Sequence, residues 1–237
     1  MNCYFGLPSR KLDPSGSASI TKIYKDAVKE GLEKGFTPVI VYISDDLISY
    51  FEDVFGEEGG IENYVSTKLN GKLKDPEEII KERLNEHLEY IDDSSFFDIC
   101  DETADEWIDH SDSWKFDSFL PSPDSFTGDP YLIEVPTRNP YEVFAWIPFC
   151  GFNECPDVDE MISLTKRWYE KYGAVPAQIS FDTLSLYLSK PVSDRQESAE
   201  ISKELFAVCP DIAFDCGGIE PFFASVYNSY CWQFWWD

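Results

Sequence analysis

Apolar residues recur at helical spacing through Ile20, Ile23, Tyr24, Ala27, Val28 and Leu32, and Gly35 follows where a helix closes on a left-handed residue. The next run, Pro38-Val39-Ile40-Val41-Tyr42-Ile43, is continuous and β-branched, as in a buried parallel strand. Ser44-Asp45-Asp46 then leads into Leu47, Ile48, Phe51, Val54 and Phe55, again at helical spacing. The first part of the chain therefore predicts helix, strand, helix. After a turn at Gly56 to Gly60, Asp75-Pro76-Glu77-Glu78 signals the start of a helix carrying Ile79, Ile80, Leu84, His87, Leu88 and Ile91 on one stripe. His87 on that stripe is expected to be a packed residue rather than a catalytic one.

Between Asp98 and Asp112 the acids fall at Asp98, Asp101, Glu102, Asp105, Glu106, Asp109 and Asp112, with Phe97, Cys100, Ala104, Trp107 and Ile108 on the other side, which predicts an amphipathic acidic helix. Pro121, Pro123, Pro130, Pro136 and Pro140 follow among Ser, Asp and Gly, a breaker-rich connection and a natural boundary. Beyond it, Glu142-Val143-Phe144-Ala145-Trp146-Ile147 is expected to be a strand. A helix then buries Val158, Met161, Ile162, Thr165, Trp168, Tyr169 and Tyr172 before Gly173. Val175–Ser180 and Thr183–Leu188 are strand-like neighbours, and Ser193-Asp194-Arg195-Gln196 caps a helix reaching Val208. A further helix is marked by Ile219, Phe222, Phe223, Val226, Tyr227 and Tyr230, and a strand runs from Cys231 to Trp236. The pattern as a whole is α/β, with α+β as the variant: a mixed sheet flanked by helices. The expected divisions are 1–93 for a helix–strand–helix region, 94–140 for the acidic helix and connection, and 141–237 for a C-terminal α/β domain.

Composition changes this picture in one respect. The 237 residues are 43% hydrophobic and 16% aromatic, enough to build a core, yet 45 Asp and Glu face only 19 Lys and Arg, a net charge of -26. Such a surface repels phosphate, so nucleic acid and anionic membrane are disfavoured as partners and a basic protein is the complement. The seven cysteines are odd in number and scattered, which points to reduced thiols. With no signal-like start and no stretch of ~20 apolar residues, a cytoplasmic location is expected.

Candidate chemistry is sparse. No phosphate-binding glycine loop, nucleophile elbow or zinc-protease motif occurs, and no catalytic residue is assigned. Cys155, before Pro156 and beside a helix start, has the position of an activated thiol, but the only histidines, His87 and His110, lie in the other half of the chain. Cys150, Cys155, Cys209 and Cys216 lack the C-x₂-C spacing of a zinc site, so neither metal nor cofactor is expected.

Trp146-Ile147-Pro148 through Gly151-Phe152-Asn153-Glu154-Cys155-Pro156, Trp168-Tyr169-Glu170-Lys171-Tyr172-Gly173-Ala174, Asp182-Thr183-Leu184, Cys209-Pro210-Asp211 and Phe234-Trp235-Trp236-Asp237 resemble, in order and spacing, the bacterial family catalogued as domain of unknown function 4253. The resemblance covers roughly the last hundred residues, about one domain. It implies a bacterial, intracellular protein and carries no reaction.

Two functional expectations follow. The first is an acidic binding protein of the immunity type, neutralising a basic toxin such as a nuclease, with Asp101, Asp105, Asp109 and Asp112 mimicking phosphates and Trp107 and Trp114 as aromatic anchors. The alternative is an enzyme with a pocket where Asn153, Cys155, Asp182, Asp211 and Trp235 converge. Oligomeric state is not encoded in the pattern.

Overall fold

Helical spacing, a left-handed glycine and a β-branched run generate the first crossover as expected. The computed structural model describes residues 2–13, 17–90, 128–149 and 153–236. Helix α1 (Ser17–Lys34) ends where Gly35 adopts φ 85° and, with Phe36, donates its backbone N–H to Gly31 O. Strand β3 (Thr37–Ile43) follows, buried at every position, and Ser44 caps α2 (Asp45–Glu57) by accepting from Leu47 N at 3.2 Å. Two short strands precede α1: β1 (Asn2–Tyr4) and β2 (Leu7–Lys11) form a hairpin whose two turn residues, Phe5 and Gly6, both have positive φ. Helices α3 (Ile61–Asn70) and α4 (Pro76–Tyr90) complete this half.

The second half opens with β4 (Asp129–Val135). It continues through a 3₁₀ turn (Pro140–Glu142), α5 (Val143–Trp146), α6 (Val158–Tyr172), the hairpin β5 (Ala174–Ile179) and β6 (Thr183–Leu188), and α7 (Arg195–Val208). Helices α8 (Asp211–Asp215) and α9 (Ile219–Val226) and strand β7 (Cys231–Trp235) finish it. Among the described residues seven strands form one mixed sheet in the order β1-β2-β4-β3-β5-β6-β7, parallel only between β3 and β5. Strands from both sides of the expected boundary at residue 140 thus share a single sheet, with β4 between β2 and β3.

The period-2 alternation of strand side chains divides the core. Val39, Val41, Tyr131, Ile133, Leu184, Leu186, Phe234 and Trp236 face the larger cluster, against Phe51 of α2, Met161 and Trp168 of α6, Phe206 of α7 and Phe222 of α9. Ile40, Tyr42, Leu132 and Ala177 face the other way, onto Ile20, Tyr24 and Ala27 of α1.

Two expectations are corrected. Glu142–Ile147 is not a strand but a 3₁₀ turn followed by α5. Val143, Phe144, Ala145 and Ile147 are all buried, so the run has no polar face by which periodicity separates helix from strand. Pro140 opens the turn, and Glu142 accepts from Thr137 Oγ1 and from Asn139 Nδ2. The proline-rich connection likewise contains β4, an interior strand. Pro130 sits at its second position and Pro136 just past its end, where proline punctuates a strand rather than interrupting it. The expected acidic helix at Asp98–Asp112 lies outside the described residues.

Candidate functional site

The site that the fold assembles lies where α4 meets the start of α6. Asp75 accepts from Glu77 N at 2.8 Å and Pro76 supplies a preset φ, so α4 begins sharply and presents Arg83 and His87, one turn apart, on one side. Asp157 caps α6 by accepting from Glu160 N at 2.9 Å, which fixes Glu160 in the first turn. The two helices meet through charge. Glu160 Oε1 accepts from Lys74 Nζ at 2.8 Å and Oε2 from Arg83 Nη2 at 2.7 Å, while Arg83 Nη1 donates to Glu154 O at 2.8 Å. Burial by itself would push the Glu160 carboxyl up; the hydrogen bonds and charges of Lys74 and Arg83 outweigh it and hold the group below the usual carboxylate range.

Further pairs stitch the same junction. Lys68 binds Asp159 at 2.8 Å, and Arg167 binds Glu204 through both Nε and Nη2 while Nη1 reaches Glu77 at 3.1 Å. Trp168 Nε1 also donates to Glu204, at 3.0 Å. The chain has few cations, and a cluster of them is used here to hold the N-terminal helices on the C-terminal half.

Beside these contacts is a cavity of about 610 Å³. Ile79, Arg83, His87, Cys155 and Glu160 form its less exposed wall, and Lys74, Glu82, Glu86, Asn153 and Glu154 its exposed one. Asn153 holds a left-handed φ of 47°, which asparagine tolerates better than most residues. His87 Nε2 lies 3.1 Å from Ala207 O, its Nδ1 lies 3.6 Å from Glu154 Oε2, and its ring meets Phe206 edge-on. The Nε2 contact holds the ring against α7, while the Nδ1 contact is longer than a hydrogen bond. The cavity nonetheless brings a histidine and a cysteine from opposite halves of the chain to one lining, which residue order does not reveal.

The sequence-predicted pocket is divided. Asn153 and Cys155 line the cavity; Asp182, Asp211 and Trp235 do not. Asp182 clamps the β5–β6 hairpin to β7: Oδ1 accepts from Ser180 Oγ at 2.9 Å and Thr183 Oγ1 at 3.0 Å, Oδ2 accepts from Trp235 Nε1 at 3.2 Å, and its carbonyl accepts from Trp236 N. Asp211 opens α8 directly after Cys209 and Pro210. Cys209 Sγ donates to Trp235 O at 2.9 Å, and burial pushes its thiol far above the ordinary range. Neighbouring Phe234 and Trp236 are core residues, Phe234 stacking on Trp168 at 5.7 Å and on Trp236 at 5.7 Å. The expected partner-binding residues Asp101, Asp105, Trp107, Asp109, Asp112 and Trp114 lie outside the described residues. Lys74, Arg83 and Glu160 were not anticipated as a group, because they lie on segments far apart in the chain.

No group of three or more His, Cys, Asp or Glu side chains suited to a metal occurs among the described residues, and no described helix is long and apolar enough to cross a membrane.

Fold and site together define an α/β protein with a mixed sheet and a polar cavity at the junction of its two halves. Its C-terminal part, residues 131–237, matches the model of the family described as Domain of unknown function (DUF4253). That match begins inside β4 and includes the Asn153–Cys155 wall of the cavity, whereas α4 precedes it. No curated protein and no solved structure matches the chain.

Proposed function

We propose that the chain is a binding protein of the immunity type, which captures a basic protein, such as a nuclease toxin, on an acidic surface. One observation carries this reading. From Asp45 to Glu62, across α2 and the start of α3, the chain bears Asp45, Asp46, Glu52, Asp53, Glu57, Glu58 and Glu62, all exposed, with no lysine or arginine among them. Among the described residues none of the seven joins an ion pair with a cation, while Lys68, Lys74, Arg83 and Arg167 are turned to the α4–α6–α7 junction. The apolar side of the same helices is spent on the core through Leu47, Phe51, Phe55, Tyr64 and Val65, so the outer side is left as a carboxylate array. A concentrated negative field of this kind accelerates encounter with a cationic partner and rejects anionic ones. The chain from 91 to 127, with eleven acids against Lys115, adds charge of the same sign and includes Asp101, Asp105, Asp109 and Asp112.

The test is capture of a partner from the source cells by wild-type protein and by a variant carrying Glu52→Lys, Asp53→Lys, Glu57→Lys and Glu58→Lys. The expected outcome is a basic protein retained by wild type at ~0.05 M salt, released by ~0.5 M salt and not retained by the variant. Retention unchanged by the variant contradicts the reading.

A second reading, an enzyme, has the cavity shared by Asn153, Cys155 and His87 in its favour. It requires a base for Cys155, and His87 has its Nε2 turned to Ala207 O at 3.1 Å. Rapid, stoichiometric modification of Cys155 by a thiol reagent at neutral pH supports the enzyme; a thiol that reacts only after denaturation removes it.

A further inference from the structure

A second cleft, of about 510 Å³, lies between the start of α4 and α6 and shares Lys74 with the cavity above. Lys74, Lys166, Arg167 and Lys171 line it and, among the described residues, Glu170 is its one carboxylate, on a chain with 19 basic residues against 45 acidic ones. Four cations around one concavity repel each other unless answered, and among the described residues two of them are answered by carboxylates. Lys74 pairs with Glu160 and Arg167 with Glu204 and Glu77. Among the described residues Lys166 and Lys171 pair with no carboxylate; their ammonium groups lie 5.7 Å and 5.0 Å from the ring centres of Tyr141 and Tyr172.

The Arg167 contacts are unequal in strength. Glu204, 12% exposed, grips Nε and Nη2 and holds the guanidinium in place. Among the described residues Nη1 is held by Glu77 alone, which is 75% exposed and readily displaced. A phosphate oxygen replacing Glu77 meets an already oriented donor, with Lys171 one helical turn further along the same face. Leu73 and Pro76 add an apolar wall, and the volume falls in the range of small-molecule sites. We propose that this cleft binds a phosphorylated small molecule with a flat apolar body, the nucleotide class: phosphates between Arg167, Lys171 and Lys166, and the body against Leu73 and Pro76.

The test is calorimetric titration of the full chain at low salt with ATP and, separately, adenosine, repeated for the variant Lys166→Gln/Lys171→Gln and for Lys29→Gln on α1. Saturable ATP binding, no binding of adenosine, a loss of affinity of about tenfold or more in the double variant, and none in Lys29→Gln are expected. The two lysines are on the surface of α6, and unchanged thermal unfolding of the double variant checks that it folds. Should the double variant be unstable, release of bound ATP from wild type by inorganic triphosphate gives the same answer. Absence of saturable ATP binding, equal binding of adenosine, or unchanged affinity in a folded double variant overturns the proposal.

Discussion

Arg83 Nη2 donates to Glu160 Oε2 at 2.7 Å, joining a helix of the N-terminal half to the first turn of the helix that enters the family-matching C-terminal half's hairpin. The side chains are 17% and 11% exposed, so the pair is shielded from water and from salt. Removing one partner leaves the other charge poorly compensated. Glu160→Gln is expected to lower stability by about 2–4 kcal/mol. Lys74→Ala, on the same carboxylate but 57% exposed, costs below about 1 kcal/mol. Urea unfolding of both variants checks the order.

The same contact sets a pH dependence. Glu160 titrates lower in the folded chain than an ordinary carboxylate, so its contribution is present above the ordinary carboxylate range and disappears as pH falls through the folded value. The stability difference between wild type and Glu160→Gln is therefore constant near neutrality and shrinks on acidification. Denaturant midpoints of both proteins across neutral and acidic pH measure it.

Asp182 and Trp235 were expected in a pocket and instead secure the end of the sheet. Asp182→Ala removes three side-chain acceptor contacts and should cost about 2 kcal/mol, with no effect on partner capture. Thermal unfolding and capture, measured on the same variant, separate the structural role from a binding one.

Cys209 and Cys231 are buried, and burial pushes both thiols up, Cys231 to about 12. Neither is a thiolate at neutral pH, and the reagent has little access. Peptide mapping after a short iodoacetamide pulse should find both unmodified in the native protein and modified in denaturant; native labelling of either is the contrary result.

Much of the architecture was legible because its signals are local. Gly173 after Tyr172 and the alternation Leu184, Leu186, Leu188 each mark an element by chemistry within a few residues, and α6 and β6 lie where they indicate; α7 starts one residue later than a box opened by Ser193 implies, because Asp194 caps it by accepting from Glu197 N at 2.9 Å. The failures came where locality ends. Val143–Trp146 is buried all round, so its apolar run has no phase, and β4 is hidden among prolines that flank it. The site was less legible still. Asn153 and Cys155 share a cavity, but its other wall is α4, and the Lys74–Glu160–Arg83 cluster joins side chains 86 and 77 residues apart. No spacing rule spans that distance; the packing of α4 against α6 brings them together.

The central claim, that the carboxylate array on α2 and α3 receives a basic partner, is tested most directly by the association rate. Once the captured protein is purified, its rate of binding to wild type and to the four-lysine variant is measured over a range of salt. The account predicts a fast, steeply salt-dependent rate for wild type and a rate lower by about tenfold or more, with weak salt dependence, for the variant. Equal rates with equal salt dependence would place the contact elsewhere on the molecule and contradict it.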